Sequence, residues 1–162
     1  MSETFTHVTY IGSSAAKLWH ALTDEEATAA FWGHSNVSDW QEGSRWAHVR
    51  TDGSGISDVV GTVLDAHAPH RLVLTFEEPS GTSEDEPPVV AFDMEEFREI
   101  VKLTITHTGL EADDMDVVRL GWSSVASNLK TLLETGRVLP TEPWEMHAEL
   151  REQQMAKNDP RG

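Results

Sequence analysis

Gly121-Trp-Ser-Ser-Val-Ala-Ser-Asn-Leu-Lys-Thr-Leu-Leu-Glu-Thr-Gly136 is the stretch that decides the fold. Trp122, Val125, Ala126, Leu129, Leu132 and Leu133 recur at helical offsets and form one apolar stripe. Ser123, Ser127, Lys130 and Glu134 fall mostly on the opposite side, where they can stay in water. Gly136 stands where a left-handed residue ends a helix. Asp113, Asp114 and Asp116 lie upstream, near the positive end of a helix that starts there. Almost everything before this stretch reads as strand, so the stripe must lie on a sheet.

Working back to the start, Glu3 to Ile11 is rich in β-branched and aromatic residues and reads as the first strand. Ser13 or Ser14 caps a helix over Ala15 to Leu22, and Asp24 caps a second short helix, Glu25 to Phe31, that Gly33 terminates. Strands are then expected at Ser35 to Trp40, Ser44 to Arg50, Asp58 to Ala66, Arg71 to Glu77, Val89 to Glu95 and Ile100 to Thr108. Asp52-Gly-Ser-Gly55 is a turn between two of them, and Ala68-Pro69 breaks another pair. Alternation puts Ser44, Trp46 and His48 on one face, Leu72, Leu74 and Phe76 on another, and Val101, Leu103, Ile105 and His107 on a third. Pro79 to Pro88 reads as a flexible polar loop. Beyond Gly136, Trp144 to Lys157 is expected to form a further helix with a weak stripe of Trp144, Ala148, Arg151 and Met155. The organisation is therefore one domain over residues 1–136 and a C-terminal extension over 137–162, packing on the domain or on a partner.

Composition limits the function. The 162 residues are 38% hydrophobic and 25% charged, which suits a single soluble globular domain with a real core. A formal net charge of -16 repels phosphates and so argues against nucleic acid and anionic membranes as partners. The chain has no Cys, which removes disulfides, thiolate metal sites and a Cys nucleophile. The N-terminus has neither the basic nor the apolar region of a signal peptide, and a cytoplasmic location is expected.

Four segments in order resemble a known family: Ile11-Gly-Ser-Ser-Ala-Ala-Lys-Leu-Trp-His-Ala-Leu-Thr-Asp24, Ser38-Asp-Trp-Gln-Glu-Gly-Ser-Arg-Trp46, Leu103-Thr-Ile-Thr-His-Thr-Gly109 and Gly121 to Gly136. Together they are similar to the SRPBCC (START-like, helix-grip) superfamily, and more narrowly to the branch of homologues of the activator of heat-shock protein 90 ATPase. The resemblance spans about residues 5–136. It implies an α+β helix-grip fold, in which a curved antiparallel β-sheet wraps a long C-terminal helix and two short helices follow the first strand. It also implies a ligand cavity between that helix and the sheet, and it admits a homodimer. The eukaryotic co-chaperones of the branch carry a further domain ahead of this one, which this sequence does not show.

The candidate site follows from inward-facing residues. Six Trp are many for this length. Trp46 and Trp122, with Trp32 or Trp40, could stack on a planar or apolar ligand. Phe76, Phe92 and Leu129 extend that wall, although Phe76, Phe92 and Met94 are expected first of all as core. His48 and His107 share strand faces with apolar residues; a hydrogen-bonded core histidine is the commoner outcome there, and the alternative is a ring that orients a ligand or moves a proton. The expected ligand-binding set is thus Trp46, His48, Phe76, Phe92, His107, Trp122 and Leu129. No catalytic residues are assigned, because Gly121-Trp-Ser-Ser-Val lacks the closing Gly of a nucleophile elbow and no two carboxylates are paired by the pattern. No metal or cofactor is expected, since a turn separates His67 from His70 and no acidic ligand completes a set. The sequence therefore points to a non-catalytic protein that binds a small lipid-like or aromatic molecule. The alternatives are a cyclase, dehydratase or hydrolase using a cavity His, and a chaperone-accessory interaction module.

Overall fold

The structure is a computed structural model, and it describes residues 2–81 and 85–148. Seven strands form one antiparallel sheet: β1 (Glu3–Ile11), β2 (His34–Val37), β3 (Arg45–Arg50), β4 (Ser57–His67), β5 (Arg71–Thr75), β6 (Val89–Phe97) and β7 (Ile100–Leu110). Their spatial order is β1-β7-β6-β5-β4-β3-β2, so the first two strands in sequence lie at opposite edges. Two short helices, α1 (Ala15–Thr23) and α2 (Glu25–Trp32), carry the chain across from one edge to the other. Ser14 caps α1 by accepting from the Lys17 N–H at 3.2 Å, and Asp24 caps α2 by accepting from Ala27 N–H at 2.9 Å. The long helix α3 (Met115–Thr135) follows a 3-10 turn and closes the fold.

The sheet curls because its ladders are irregular. Register shifts fall between His48 and Val49, between Val63 and Asp65, and near the start of β1. Within β4, Gly61 lets the backbone come close: a Cβ there would lie 1.9 Å from Thr75 O. Into the resulting concave face go Ile11, Trp46, Val63, Leu72, Leu74, Val90, Phe92, Met94, Val101, Leu103 and Ile105, all in one core cluster with Leu18, Leu22 and Phe31 of the short helices. From α3 the cluster receives Trp122, Val125, Ala126 and Leu129, while Leu132 and Leu133 pack against it half-buried. This is the stripe read in the sequence, and Gly136 ends the helix in a left-handed conformation with its N–H on Leu132 O at 2.8 Å.

Several boundaries differ from the sequence reading. Helix α3 starts at Met115, before Gly121, which is exposed and has open space where a Cβ would point. A solvent-facing helical Gly costs only about 1 kcal/mol relative to Ala, so the helix runs through it. The strand expected at Ser35 to Trp40 is His34–Val37, and Trp40 instead occupies a left-handed turn with φ 58. Strand β5 is not half-buried: Leu72, Val73, Leu74 and Thr75 are all buried, as suits the middle strand of seven. The β6–β7 hairpin turns at Arg98 and Glu99, which fall between the two strands.

The chain after Gly136 is tied to the domain as far as it is described. Val138 packs on the core cluster, Leu139 N–H donates to Asn128 Oδ1 at 2.8 Å, and the Trp144 indole lies where a Cβ on Gly33 would sit, at 2.8 Å. Residues 143–148 are helical. The remainder of the helix expected to Lys157, with Arg151 and Met155, lies outside the described residues, as do 82–84 of the Pro79 to Pro88 loop.

Candidate functional site

Between α3 and the sheet the aromatic rings meet one another. Trp122, from the buried face of α3, touches Trp32 at 5.3 Å between ring centroids, Phe92 at 5.8 Å, Phe76 at 6.0 Å and His107 at 6.1 Å. Phe76 bridges to Trp46 at 5.1 Å and to His107 at 5.5 Å. Trp46 reaches His48 at 6.1 Å, and Trp32 meets His48 at 5.0 Å. Six of the seven expected residues thus belong to one connected group of rings, and Leu129 lies in the same buried core. Most contacts are edge-on or tilted, the geometry that the ring quadrupole favours.

The polar atoms inside this group are specific. Trp46 Nε1–H donates to Thr75 O at 2.9 Å, which ties β3 to β5 across the close approach at Gly61. Trp122 Nε1–H donates to His107 Nδ1 at 3.0 Å. An indole nitrogen can only donate, so His107 Nδ1 must be the unprotonated nitrogen and the ring proton must sit on Nε2. Burial pushes the His107 pKa down to about 4, so the ring is neutral near pH 7. Its Nε2–H is buried and finds no hydrogen-bond partner among the described residues. Such a donor is costly to leave unpaired.

At the other end of the group, His48 Nδ1 shares a 2.5 Å hydrogen bond with Asn36 Oδ1, and both residues are buried. Burial lowers the His48 pKa to about 3; proximity to His34 adds to the effect and Asp58 opposes it. The His34 ring stacks on His48 with centroids 4.0 Å apart and planes within 6°. His34 Nε2–H donates to Asp58 Oδ2 at 2.8 Å, and Arg50 grips the same carboxylate through Nε and Nη2 at 2.7–3.0 Å. Those bonds, Arg50's first and His34's next, hold the Asp58 carboxyl well below the usual range. Among the described residues, Asp58 therefore hydrogen-bonds to the half-exposed His34, while His48 and His107 pair with Asn36 and Trp122.

Trp32, His34 and Asn36 join the site without having been placed there from sequence, apart from Trp32 as an alternate to Trp40. Their signal was weak: β2 has four residues, too few for alternation to show, and Trp32 arrives because α2 ends at the sheet edge. Trp40 lies elsewhere, lining a separate cavity with Trp19. His67 pairs with Asp65 at 2.8 Å, and His70 Nδ1 lies 3.3 Å from Met94 O. Among the described residues no three His, Asp or Glu side chains are gathered as metal ligands, and no helix is long and apolar enough to cross a membrane. One cavity of about 400 Å³ lies beside α1, α2 and the end of α3, and another of about 450 Å³ lies beside Trp19 and Trp40. Neither is lined by the ring group.

Comparison with known proteins gives a consistent result. The family model described as Activator of Hsp90 ATPase homolog 1-like protein matches residues 13–134. Similar solved structures include CalU16 from Micromonospora echinospora, with a TM-score of 0.70, 18% identity, and coverage of 96% of this chain and 88% of that one. The Aha1 dimer from Colwellia psychrerythraea gives 0.68 and 18%, covering 83% of this chain and 98% of that chain. PFC0360w, an HSP90 activator from Plasmodium falciparum, gives 0.66 and 19%, covering 80% and 95%. At such identities these structures speak to the fold alone. No curated protein matches the sequence.

Proposed function

The chain belongs to the Activator of Hsp90 ATPase homolog 1-like family, and from that premise we propose that it binds a small apolar or aromatic molecule between α3 and the sheet without transforming it. The observation that carries this reading is the buried, unpartnered Nε2–H of His107, whose tautomer Trp122 fixes. A ligand with an aromatic body and one carbonyl or ether oxygen would supply the missing acceptor. Room would come from side-chain movement: Phe76 and Trp32 are only partly buried. Catalysis is not part of the proposal, because the carboxylate that could drive a His base is held by Arg50 and His34 at the strand edge.

A matched pair of compounds tests the proposal: 2-acetylnaphthalene, and 2-ethylnaphthalene, which lacks the acceptor. At about 100 times its dissociation constant a ligand stabilises by about 2.7 kcal/mol, so the ketone is expected to raise Tm by about 5 °C or more. The hydrocarbon should do markedly less, and His107→Phe should abolish the difference between the two. Equal effects in the wild type would mean that the His107 donor takes no part in binding, and none from either compound would mean that the interior is a closed core.

A second reading, a chaperone-accessory module, is favoured by the Plasmodium neighbour's description and by Val117 and Leu120, exposed at 45% and 38% on the outer side of α3. Val117→Ser with Leu120→Ser would reduce stimulation of an Hsp90 ATPase if that reading held, and would leave naphthyl ketone binding intact. The dimeric neighbour also makes a homodimer part of the proposal, and the mass in solution tests it directly.

A further inference from the structure

The cavity of about 450 Å³ beside α1 has walls of a particular kind. Two tryptophans, Trp19 and Trp40, line it together with two carboxylates, Asp39 and Glu42; Ala66 and Ala68, at the end of β4 and just after it, complete the floor. Both indoles are half-buried, each packed partly against the core. Trp19 follows the fully buried Leu18 on α1, which sets it at the boundary between core and cavity.

The loop that carries the other three groups is held in shape without any ligand. Gly43 N–H donates to Val63 O at 2.8 Å and Val63 N–H returns a bond to Ser44 O at 2.8 Å, stapling the loop to β4. Ser38 Oγ accepts from Trp40 N–H at 3.0 Å and donates to Arg45 O at 2.9 Å. Gln41 N–H donates to Asp39 Oδ1 at 3.0 Å. These bonds fix Trp40 at φ 58, a left-handed conformation that a bulky L-residue rarely adopts. The Ser44 hydroxyl and the Gln41 N–H also hold the Asp39 carboxyl below its ordinary pKa, so it is ionised.

Neither carboxylate is spent on a protein cation. Basic groups flanking the lining residues are engaged elsewhere: His34 and Arg50 with Asp58, Arg45 with Glu77, His67 with Asp65, and Arg71 with Asp65 and Asp93. Asp39 and Glu42 have no ion-pair partner among the described residues. A cation bound here meets two indoles as well as the carboxylates, a combination that suits a weakly hydrated organic cation better than a strongly hydrated metal ion. The net charge of -16 raises the local concentration of any cation.

We propose that the Trp19–Trp40 cavity is a binding site for an organic cation, a quaternary or methylated ammonium head carrying a short organic body, held by the two indoles and by Asp39 and Glu42. The site shares no residue with the ring group under α3, so this proposal and the interior-ligand reading fail independently.

Calorimetric titration of the full chain with choline tests it, with 3,3-dimethyl-1-butanol as the uncharged analogue of the same shape. Choline is expected to bind at a single saturable site, and the neutral analogue at least about tenfold more weakly. Trp40→Ala should weaken choline binding about tenfold or more, while Trp40→Phe keeps most of it. Since Trp40 sits in a constrained turn, the exposed pair Asp39→Asn with Glu42→Gln, in which Asn keeps the Oδ1 acceptor for the Gln41 N–H, provides a second arm, with an expected loss of about tenfold and a single cooperative unfolding transition retained. Absence of saturable heat at millimolar choline overturns the proposal. So does equal affinity for the neutral analogue, or binding that survives both sets of substitutions.

Discussion

Acid should destabilise this protein through His48 and His107 well before its carboxylates protonate. Both imidazoles are 7% exposed, with folded pKa values lowered to about 3 and about 4. In the unfolded chain each titrates near its ordinary value of about 6.5. Because the folded-state values are depressed, the unfolded state binds more protons below about pH 6.5. The contribution is therefore complete above that pH and is lost as pH falls towards 4 and then 3. Between pH 7 and pH 5 each ring costs about 2 kcal/mol, or about 4 kcal/mol for the pair, a large share of a typical 5–15 kcal/mol stability. The -16 charge acts in the opposite direction, since self-repulsion eases as carboxylates begin to protonate. Comparison with His48→Asn/His107→Asn separates the two effects: Asn can donate where His48 Nδ1–H does and accept where His107 Nδ1 does, but it does not titrate. Urea unfolding at pH 7, 6 and 5 should show the wild type losing about 4 kcal/mol more than the double variant across that interval. Parallel stability curves for the two proteins would refute the reasoning.

Three further outcomes follow from individual contacts. Gly61→Ala should destabilise by about 3 kcal/mol or more in urea unfolding, because the new methyl meets Thr75 O at 1.9 Å and Trp46 Nε1 at 2.5 Å and breaks the bond between them. Asn128→Ala removes the donor to Phe31 O at 3.1 Å and the acceptor for Leu139 N–H at 2.8 Å, with an expected cost of about 2–4 kcal/mol and faster amide exchange at Leu139. Trp122→Phe keeps the aromatic bulk but strands His107 Nδ1, for a loss of about 1–2 kcal/mol in thermal or urea unfolding.

What could be read from sequence was whatever repeats with a local period. The inner face of β7 showed as Val101, Leu103, Ile105 and His107, and all four are buried. The α3 stripe and its Gly136 terminus were legible for the same reason, as were the Asp24 cap and, as one of two candidates with Ser13, the Ser14 cap. Local rules failed where tertiary context overrides propensity. Gly121 read as a helix start because a glycine normally interrupts a helix, yet it lies on a face where nothing packs. Trp40 read as the end of a strand because its left-handed turn is imposed by the hydrogen bonds of residues 38–44.

The site divides along the same line. Which residues face inward could be inferred from alternation, so Trp46, His48, His107 and Trp122 were named. That Trp122 would donate to His107, fixing its tautomer and leaving a buried proton, depends on how α3 lies against β7 and had no sequence signal. The His34–His48 stack and its Asp58 partner likewise require β2, β3 and β4 to be in register.

The most direct test of the account is the nitrogen spectrum of the His107 imidazole, recorded near pH 7 without ligand and again with 2-acetylnaphthalene. Nδ1 should appear as the unprotonated acceptor of the Trp122 indole and Nε2 as the protonated nitrogen, and the ketone, unlike 2-ethylnaphthalene, should shift the Nε2–H resonance. A proton on Nδ1, or an Nε2–H that ignores the ketone at concentrations that saturate the protein, would contradict the claim that this donor awaits a ligand.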